Sequence, residues 1–122
     1  YGDGCQVRDI LFVDDLVDAV AAALDHLPAV RGRVFNMGGG PARAVSLLEL
    51  LAGLESLLGR RVPVSFAEPR TGDQLWYVSN TDAFQRATGW CPRVSVGEGV
   101  RRLHEWLAPR YREAALPARE AS

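Results

Sequence analysis

The fold is decided by residues 4–15, which read Gly-Cys-Gln-Val-Arg-Asp-Ile-Leu-Phe-Val-Asp-Asp. A polar turn leads to Arg8, and the apolar run that follows has the length of a buried strand. We predict a strand over residues 9–13 and a helix capped by Asp14 or Asp15. A charged side chain at the mouth of a buried strand usually points into a cleft, so we expect Arg8 to face a phosphorylated ligand.

Beyond this stretch the chain alternates strands and helices, which is typical of an α/β fold. The first helix is predicted to run to about His26 and to be ended by Pro28, and a strand follows at 33–37. The next helix lies between a Ser46–Glu49 capping box and Gly59, and it is followed by a strand at 62–67, a polar loop at 68–74 and an extended segment at 75–78. A short helix then runs from Asn80 or Thr81 to Thr88, and a Ser95–Glu98 capping box begins the last helix. Three strands make a thin sheet, so we expect the first two helices to need a larger sheet than these segments supply.

Each long helix carries an apolar stripe that predicts a buried face. The stripes are Leu16, Val20, Leu24 and Leu27 on the first helix, Leu47, Leu50, Leu51, Leu54 and Leu58 on the second, and Val96, Val100, Leu103 and Leu107 on the last. Trp90 is expected to pack on the same core. We divide the chain into a domain at residues 1–108 and a frayed tail at 109–122.

Composition excludes several classes of function. The net charge of −1 and the pI of about 6.1 argue against a general nucleic-acid binder. The chain has no apolar run of ~18 residues, so we expect no membrane partner. Cys5 and Cys91 do not form a disulfide framework, which favours a reducing, cytoplasmic compartment. His26 and His104 lack ligand spacing, so no metal site is expected.

Lysine is absent from the chain, and all fourteen basic residues are arginine. A mechanism that needs a lysine ammonium group therefore cannot run on this chain alone. The sequence also starts at Tyr1 rather than at methionine, and we expect it to be a processed or cut piece of a longer protein.

Gly38, Gly39 and Gly40 follow a predicted strand and precede a helix, as phosphate-binding turns do. They fail the G-x-G-x-x-G pattern at its last position, so a tight turn between closely approaching backbones is the favoured interpretation. No residue of this chain is expected to bind a cofactor.

Arg8 and Arg70 are the favoured binding residues because each lies in a polar loop at a strand end. A pair of arginines can hold a diphosphate by bidentate hydrogen bonds. Asp73, three residues after Arg70, could accept from ribose hydroxyls or orient an arginine. The alternative, which composition alone favours, is an exposed salt bridge of at most about 1 kcal/mol. Asp14 and Asp15 are interpreted as helix caps rather than as an acid–base pair.

Four blocks of the sequence resemble the extended short-chain dehydrogenase/reductase family, that is, the NAD-dependent nucleotide-sugar epimerases and dehydratases. The blocks are YGDGCQVRDILFVDDLVDAV, RVFNMGGGPARAVSLLELL, EPRTGDQLWYVSNTDAFQRATGW and VSVGEGVRRLHEWL, which cover residues 1 to about 107. Within the family they most resemble the CDP-paratose 2-epimerase subgroup. The resemblance implies the C-terminal strands and helices of a Rossmann-type fold together with its substrate-binding lobe.

The resemblance also implies roles for particular residues. Arg8 and Arg70 would bind the diphosphate of a CDP- or UDP-hexose, and Asp73 would hold the ribose. NAD and the Tyr-x-x-x-Lys catalytic pair would belong to the N-terminal half of the parent, which is the expected partner of this chain, and the parent is expected to be a homo-oligomer. The chain alone is expected to have no catalytic residue. A dehydratase, a decarboxylase or a 4-epimerase with the same lobe is the alternative within the family, and a non-catalytic interaction module is the alternative outside it.

Overall fold

The computed structural model describes residues 2–114, with side chains as far as residue 110. The elements are β1 (Val7–Asp9), α1 (Val13–Asp25), α2 (Leu27–Val30), a 3₁₀ turn (Pro41–Arg43), β2 (Ala44–Ser46), α3 (Leu47–Leu58), β3 (Trp76–Tyr77), α4 (Asp82–Thr88) and α5 (Val96–Ala114). Within these residues no helix is long and apolar enough to cross a membrane.

One small mixed sheet organises the chain, with the strand order β2-β1-β3. The central strand β1 runs antiparallel to β2, which places Arg8 opposite Val45. It runs parallel to β3, which places Arg8 opposite Tyr77. The predicted α/β class is confirmed, and Arg8 lies at the centre of the sheet.

The strands lie at other positions than the sequence predicts. The predicted strand at 9–13 is wrong, because the ladder covers Val7–Asp9 and α1 already begins at Val13. After β1 the backbone turns toward the 3₁₀ turn, where the N–H of Ile10 donates to the carbonyl of Arg43 at 3.1 Å.

Two further predicted strands, at 33–37 and 62–67, are also wrong. Among the described residues neither segment belongs to a strand, and the second contributes only an isolated bridge between Gly2 and Ala67. A strand requires a hydrogen-bonding neighbour, and the described part of the chain does not place one beside either segment.

The first helix begins without either predicted cap. Its N-cap position is Phe12, and no side chain caps the helix there. Asp14 and Asp15 lie inside the first turn instead. Asp15 is buried, and it accepts hydrogen bonds from the loop before α5 rather than from its own helix. The prediction that these residues are caps is therefore wrong.

The apolar stripe of α1 is exposed, contrary to the prediction of a buried face. Its members range from 44% exposed at Leu16 to 67% exposed at Leu24. The side of α1 that faces the core carries Asp15 and Ala19. Helical periodicity identifies an apolar face of a helix, but it does not show whether another part of the same chain packs against that face.

Pro28 does not end the first helix. That helix stops at Asp25, and His26 follows as its C-cap. Pro28 lies in the first turn of α2, a position where the missing N–H of proline costs no helical hydrogen bond.

The second long helix is confirmed at both ends. Ser46 is the N-cap and forms a reciprocal capping box with Glu49. Gly59 ends the helix with φ of 64°, a left-handed conformation that favours glycine. The leucine stripe of α3 is only half-buried, since no residue of this helix is fully buried.

The core is small and aromatic. Its buried apolar members are Ala19, Val30, Phe84 and Trp90. Phe84 and Trp90 pack edge to face, with ring centroids 5.6 Å apart. The predicted packing of Trp90 on the core is confirmed, and α4 ends at Gly89 as predicted.

The last helix forms half of its predicted capping box. The Ser95 hydroxyl accepts the N–H of Glu98 at 3.3 Å, but the Glu98 carboxylate binds Arg101 and Arg102. Its apolar stripe is half-buried at best, and Leu103 is exposed. The helix then runs through Pro109 to Ala114, so the tail predicted from residue 109 is helical over its first part. The predicted fraying of 115–122 lies outside the described residues.

Candidate functional site

Arg8, Arg70 and Asp73 line one cleft of about 220 Å³ together with Gln6 and Leu47. Arg8 lies on β1, whereas Arg70 and Asp73 lie in the loop between α3 and β3. The fold therefore brings the three candidate binding residues to one place, although Arg8 and Asp73 are 65 positions apart in the sequence.

The loop geometry explains why Arg70 and Asp73 lie side by side. The backbone N–H of Asp73 donates to the carbonyl of Arg70 at 3.1 Å, which closes a tight turn. Gly72 has φ of 79° in this turn, a conformation that disfavours residues with a Cβ atom. The Arg-Thr-Gly-Asp sequence thus encodes a turn that presents a guanidinium and a carboxylate together.

Arg8 is oriented by two contacts of its guanidinium group. One nitrogen donates to the carbonyl of Val7 at 2.8 Å, and the other lies 3.3 Å from a carboxylate oxygen of Asp73. Both side chains of the ion pair are about a third exposed, so the pair is worth at most about 1 kcal/mol. The exposed salt bridge considered from the sequence does form, and it lies in the cleft.

A second cleft, of about 600 Å³, adjoins the first and shares Gln6, Arg70 and Asp73 with it. Its other walls include the aromatic side chain of Phe66 and the apolar side chain of Leu75. Cationic and polar groups therefore lie where the two clefts meet, and the rest of the larger cleft is lined by apolar side chains together with Asp3 and Glu68.

The triple-glycine turn packs against the end of β1. A Cβ atom on Gly38 would collide with the carboxylate of Asp9 and the hydroxyl of Ser79, and one on Gly39 would collide with the carbonyl of Ile10. Gly39 thus lies against backbone, Gly38 lies against side chains, and Gly40 has a φ of 70° that favours glycine, which agrees with the tight-turn interpretation.

Two polar residues near the cleft were missed in the sequence. Gln6 is buried and lines both clefts. Gln6 lies just before β1 and outside the strand predicted at 9–13, so the sequence provided no strand register to relate it to Arg8. Asp9 accepts the backbone N–H of Gly40 at 2.9 Å, a contact for which the sequence gives no local signal.

Metal binding finds no support in the described part of the chain, where no group of three His, Cys, Asp or Glu side chains could hold an ion. Cys5 and Cys91 are free and exposed.

Sequence comparison links the start of the chain to a known family. Residues 1–38 match the model of the NAD dependent epimerase/dehydratase family. The chain is 33% identical over 107 residues to CDP-paratose 2-epimerase of Salmonella typhi, covering 88% of this chain and 32% of that protein. It is 36% identical over 124 residues to UDP-glucose 4-epimerase of Azospirillum brasilense, covering 98% and 35%.

Solved structures with similar folds come from the same group. UDP-glucuronic acid 4-epimerase from Bacillus cereus, in complex with UDP-glucuronic acid and NAD, matches with a TM-score of 0.83 and 25% identity over 91% of this chain and 35% of that one. UDP-glucose-4-epimerase from Stenotrophomonas maltophila, with bound NAD and formylated UDP-arabinopyranose, matches with a TM-score of 0.78 and 30% identity over 93% and 33%.

These relatives are about three times as long as the region that matches them, since the chain spans 32% to 35% of their length. The sequence matches and the fold matches agree, because both lead to nucleotide-sugar epimerases and cover most of this chain. Together they show that the chain corresponds to a fragment of an NAD-dependent epimerase/dehydratase family protein.

Proposed function

We propose that this chain forms the nucleotide-sugar-binding part of an NAD-dependent sugar epimerase. The observation that carries the proposal is the meeting of Arg8, Arg70 and Asp73 in one cleft. Two guanidinium groups can hold a diphosphate through charge-assisted, bidentate hydrogen bonds. Asp73 can accept hydrogen bonds from ribose hydroxyls on the same ligand.

The larger cleft supports an elongated organic ligand rather than a free phosphate. It begins at Arg70 and Asp73 and continues along the apolar walls of Phe66 and Leu75. A nucleotide diphosphate sugar has charge at its centre and larger groups at both ends; its diphosphate would lie at Arg70, and its uncharged groups would lie along Phe66 and Leu75, with Asp3 and Glu68 available to accept hydroxyl hydrogen bonds. Relatives in solved structures are named as complexes with such compounds.

The catalytic and cofactor-binding groups of the parent are proposed to lie outside this chain, which then corresponds to the C-terminal part. The sequence contains no lysine for a Tyr-x-x-x-Lys pair and no complete dinucleotide-binding glycine motif. NAD would be bound by the N-terminal half of a cytoplasmic, homo-oligomeric parent. The reaction would be transient oxidation of the sugar, loss of stereochemistry and reduction, with this chain supplying orientation.

A CDP-hexose 2-epimerase is our first proposal for the parent, following the 33% identity to CDP-paratose 2-epimerase over 88% of the chain. A UDP-hexose 4-epimerase is the second candidate, favoured by 36% identity over 98% of the chain. The two candidates differ in base and in the carbon that is epimerised, and the proposed diphosphate contacts are common to both.

Isothermal titration of the 122-residue chain with CDP, UDP and UDP-glucose tests the proposal. Replacing Arg8 or Arg70 with alanine should each cost on the order of 1.5–3 kcal/mol of binding free energy. Arg31→Ala is the matched control, because Arg31 is exposed and lines neither cleft. Absence of heat with every nucleotide would contradict the proposal and favour an interaction module, and so would unchanged affinity in both cleft variants.

A further inference from the structure

We propose that Asp9 is a positioning residue that fixes the phosphate-binding Arg8 by tying strand β1 to the turn of residues 38–40. This inference rests on the proposed function, since it assigns the support of a side chain in the proposed binding cleft. Asp9 itself lines neither cleft, so it acts through Arg8 rather than on the ligand.

The side chains of Arg8 and Asp9, which are neighbours on β1, lie on opposite faces of the sheet. Successive residues of a strand point to opposite faces, so Arg8 and Asp9 diverge. Arg8 enters the cleft, where it contacts Asp73. Asp9 instead accepts the backbone N–H of Gly40 at 2.9 Å. One short strand thus carries a binding group on one face and an anchor on the other.

The turn packs closely against the end of β1 that carries this anchor. The Cα of Gly38 faces the Asp9 carboxylate, and the Cα of Gly39 faces the carbonyl of Ile10, so closely that neither position could hold a Cβ atom. Ile10 is also bonded through its N–H to the carbonyl of Arg43. The carboxylate therefore completes a set of contacts that hold the end of β1 against the segment 38–43.

Arg8 depends on this support because its own contacts are weak. Strand β1 has only three residues, of which β2 pairs with all three and β3 with two. The ion pair of Arg8 with Asp73 is partly exposed and contributes at most about 1 kcal/mol. The place from which the Arg8 side chain leaves the sheet is thus set by the backbone of β1, and the contacts with Val7 and Asp73 then orient its guanidinium. Loss of the Asp9 acceptor would also leave the buried N–H of Gly40 without this partner.

Three variants of the 122-residue chain test the inference, with UDP as the probe in titration calorimetry. Asp9→Ala removes the acceptor and should weaken UDP binding by about tenfold or more. Asp9→Asn keeps an oxygen that accepts from Gly40 and should bind within about threefold of the unchanged chain. Asp9→Glu keeps the charge but moves the acceptor by one methylene, and it should lose binding as Asp9→Ala does.

Thr88→Ala is the control for a purely structural effect. Its hydroxyl is buried and bonds Phe84 and Trp90 away from the clefts, so the variant should lose stability without losing affinity for UDP. A loss of UDP affinity in Thr88→Ala equal to that in Asp9→Ala would show that stability alone controls binding, and it would overturn the positioning role.

A second readout needs no ligand. The guanidinium NMR signals of Arg8 should shift toward free arginine in Asp9→Ala and Asp9→Glu and stay in place in Asp9→Asn. Equal UDP affinity in all variants, or unchanged Arg8 signals in Asp9→Ala, would overturn the positioning role and leave the proposed function intact. Failure of the unchanged chain itself to bind UDP would overturn the proposed function, and the Arg8 signals would then decide on Asp9 alone.

Discussion

The carboxylate of Asp15 accepts the backbone N–H of Arg93 at 2.9 Å, across 78 positions of sequence. Its second oxygen accepts the N–H of Val94 at the same distance, and the indole of Trp90 donates to the Asp15 carbonyl at 3.1 Å. Asp15 is only 2% exposed. The first turn of α1 is therefore joined to the connection between α4 and α5 by one buried and two partly buried hydrogen bonds beside a small apolar core.

Replacing Asp15 with alanine should lower the free energy of unfolding by about 2 kcal/mol. The variant leaves two partly buried backbone N–H groups without an acceptor, each near the lower end of roughly 1–3 kcal/mol. Urea denaturation followed by circular dichroism measures the change. Asp18→Ala on the exposed side of the same helix is the control and should stay within about 0.5 kcal/mol. A loss below about 1 kcal/mol in Asp15→Ala would contradict this account.

Ser46→Ala should lower stability by about 1 kcal/mol, the usual value of an N-cap. The Ser46 hydroxyl accepts the N–H of Glu49 at 3.2 Å, and the Glu49 carboxylate accepts the N–H of Ser46 at 2.8 Å. Ser56, exposed on the same helix, provides the control, because alanine there is neutral or slightly stabilising. Equal unfolding midpoints for the two variants would show that the capping box contributes nothing.

Local signals were enough to predict α3 but not the sheet. Ser46, Glu49 and Gly59 act within one helical turn of their own positions, so their effect is visible in the sequence. The segments 33–37 and 62–67 look like strands by composition, but a strand also needs a neighbour. Which segments become neighbours is decided by long-range packing, and no local pattern contains that information.

The candidate site also combines features that a local sequence pattern predicts with features that depend on long-range packing. Arg70 and Asp73 are joined by a short turn that the Arg-Thr-Gly-Asp sequence encodes, and Arg8 was found from its position beside an apolar run. Their meeting in one cleft depends on the pairing of β1 with β3. Asp9 could not be found in the sequence, since its partner Gly40 is 31 positions away.

The exposed apolar face of α1 should make the isolated chain self-associate. Val17, Val20 and Leu24 are each more than half exposed on one helix, and Val34 is 97% exposed. A contiguous apolar surface of this kind promotes association. The double variant Val17→Glu with Leu24→Glu should reduce light scattering and the binding of a hydrophobic dye.

The control for this prediction is Ala52→Glu, an exposed position on α3 that adds charge without removing apolar surface. It should leave both signals near those of the unchanged chain. A clean monomer at high concentration with no dye binding by the unchanged chain would show that the face of α1 does not drive association.

Stability should fall between pH 4.5 and pH 2 because of Glu98. Hydrogen bonds from Arg101 and then Arg102 lower the pKa of Glu98 from 4.5 to about 2. A lowered folded-state pKa means that the ionised group stabilises the folded chain fully above pH 4.5. That contribution is lost as the pH falls through about 2.

Thermal unfolding of the unchanged chain and of Glu98→Gln over this pH range measures the effect. The difference in Tm between them should shrink steadily toward pH 2, and it should be smaller in high salt because the cluster is exposed. Glu68→Gln in the loop at 68–74 is the control for the loss of one carboxylate. A constant difference between Glu98→Gln and the unchanged chain across the range would contradict the assigned pKa.

The 122-residue chain alone should turn over no nucleotide sugar and should bind no NAD tightly. Proton transfer to and from a sugar hydroxyl needs a tyrosine whose pKa is lowered by a nearby cation. In the family that this chain resembles, the cation is a lysine four residues after the tyrosine, and the chain contains no lysine. Arginine does not replace it at that spacing, because the residues four after Tyr1, Tyr77 and Tyr111 are Cys5, Thr81 and Ala115.

A coupled assay with CDP- and UDP-hexoses, with and without the separately expressed N-terminal half of the parent, tests this prediction. Addition of that half should restore some NAD-dependent epimerisation, since it would supply the tyrosine, the lysine and the nicotinamide while this chain supplies Arg8 and Arg70. In the same mixture, Arg8→Ala should lower the restored rate, and Arg31→Ala should not, because Arg8 lines the cleft and Arg31 does not. Turnover by the 122-residue chain alone would show that its own residues include the catalytic groups, and the assignment of this chain to binding alone would then be wrong.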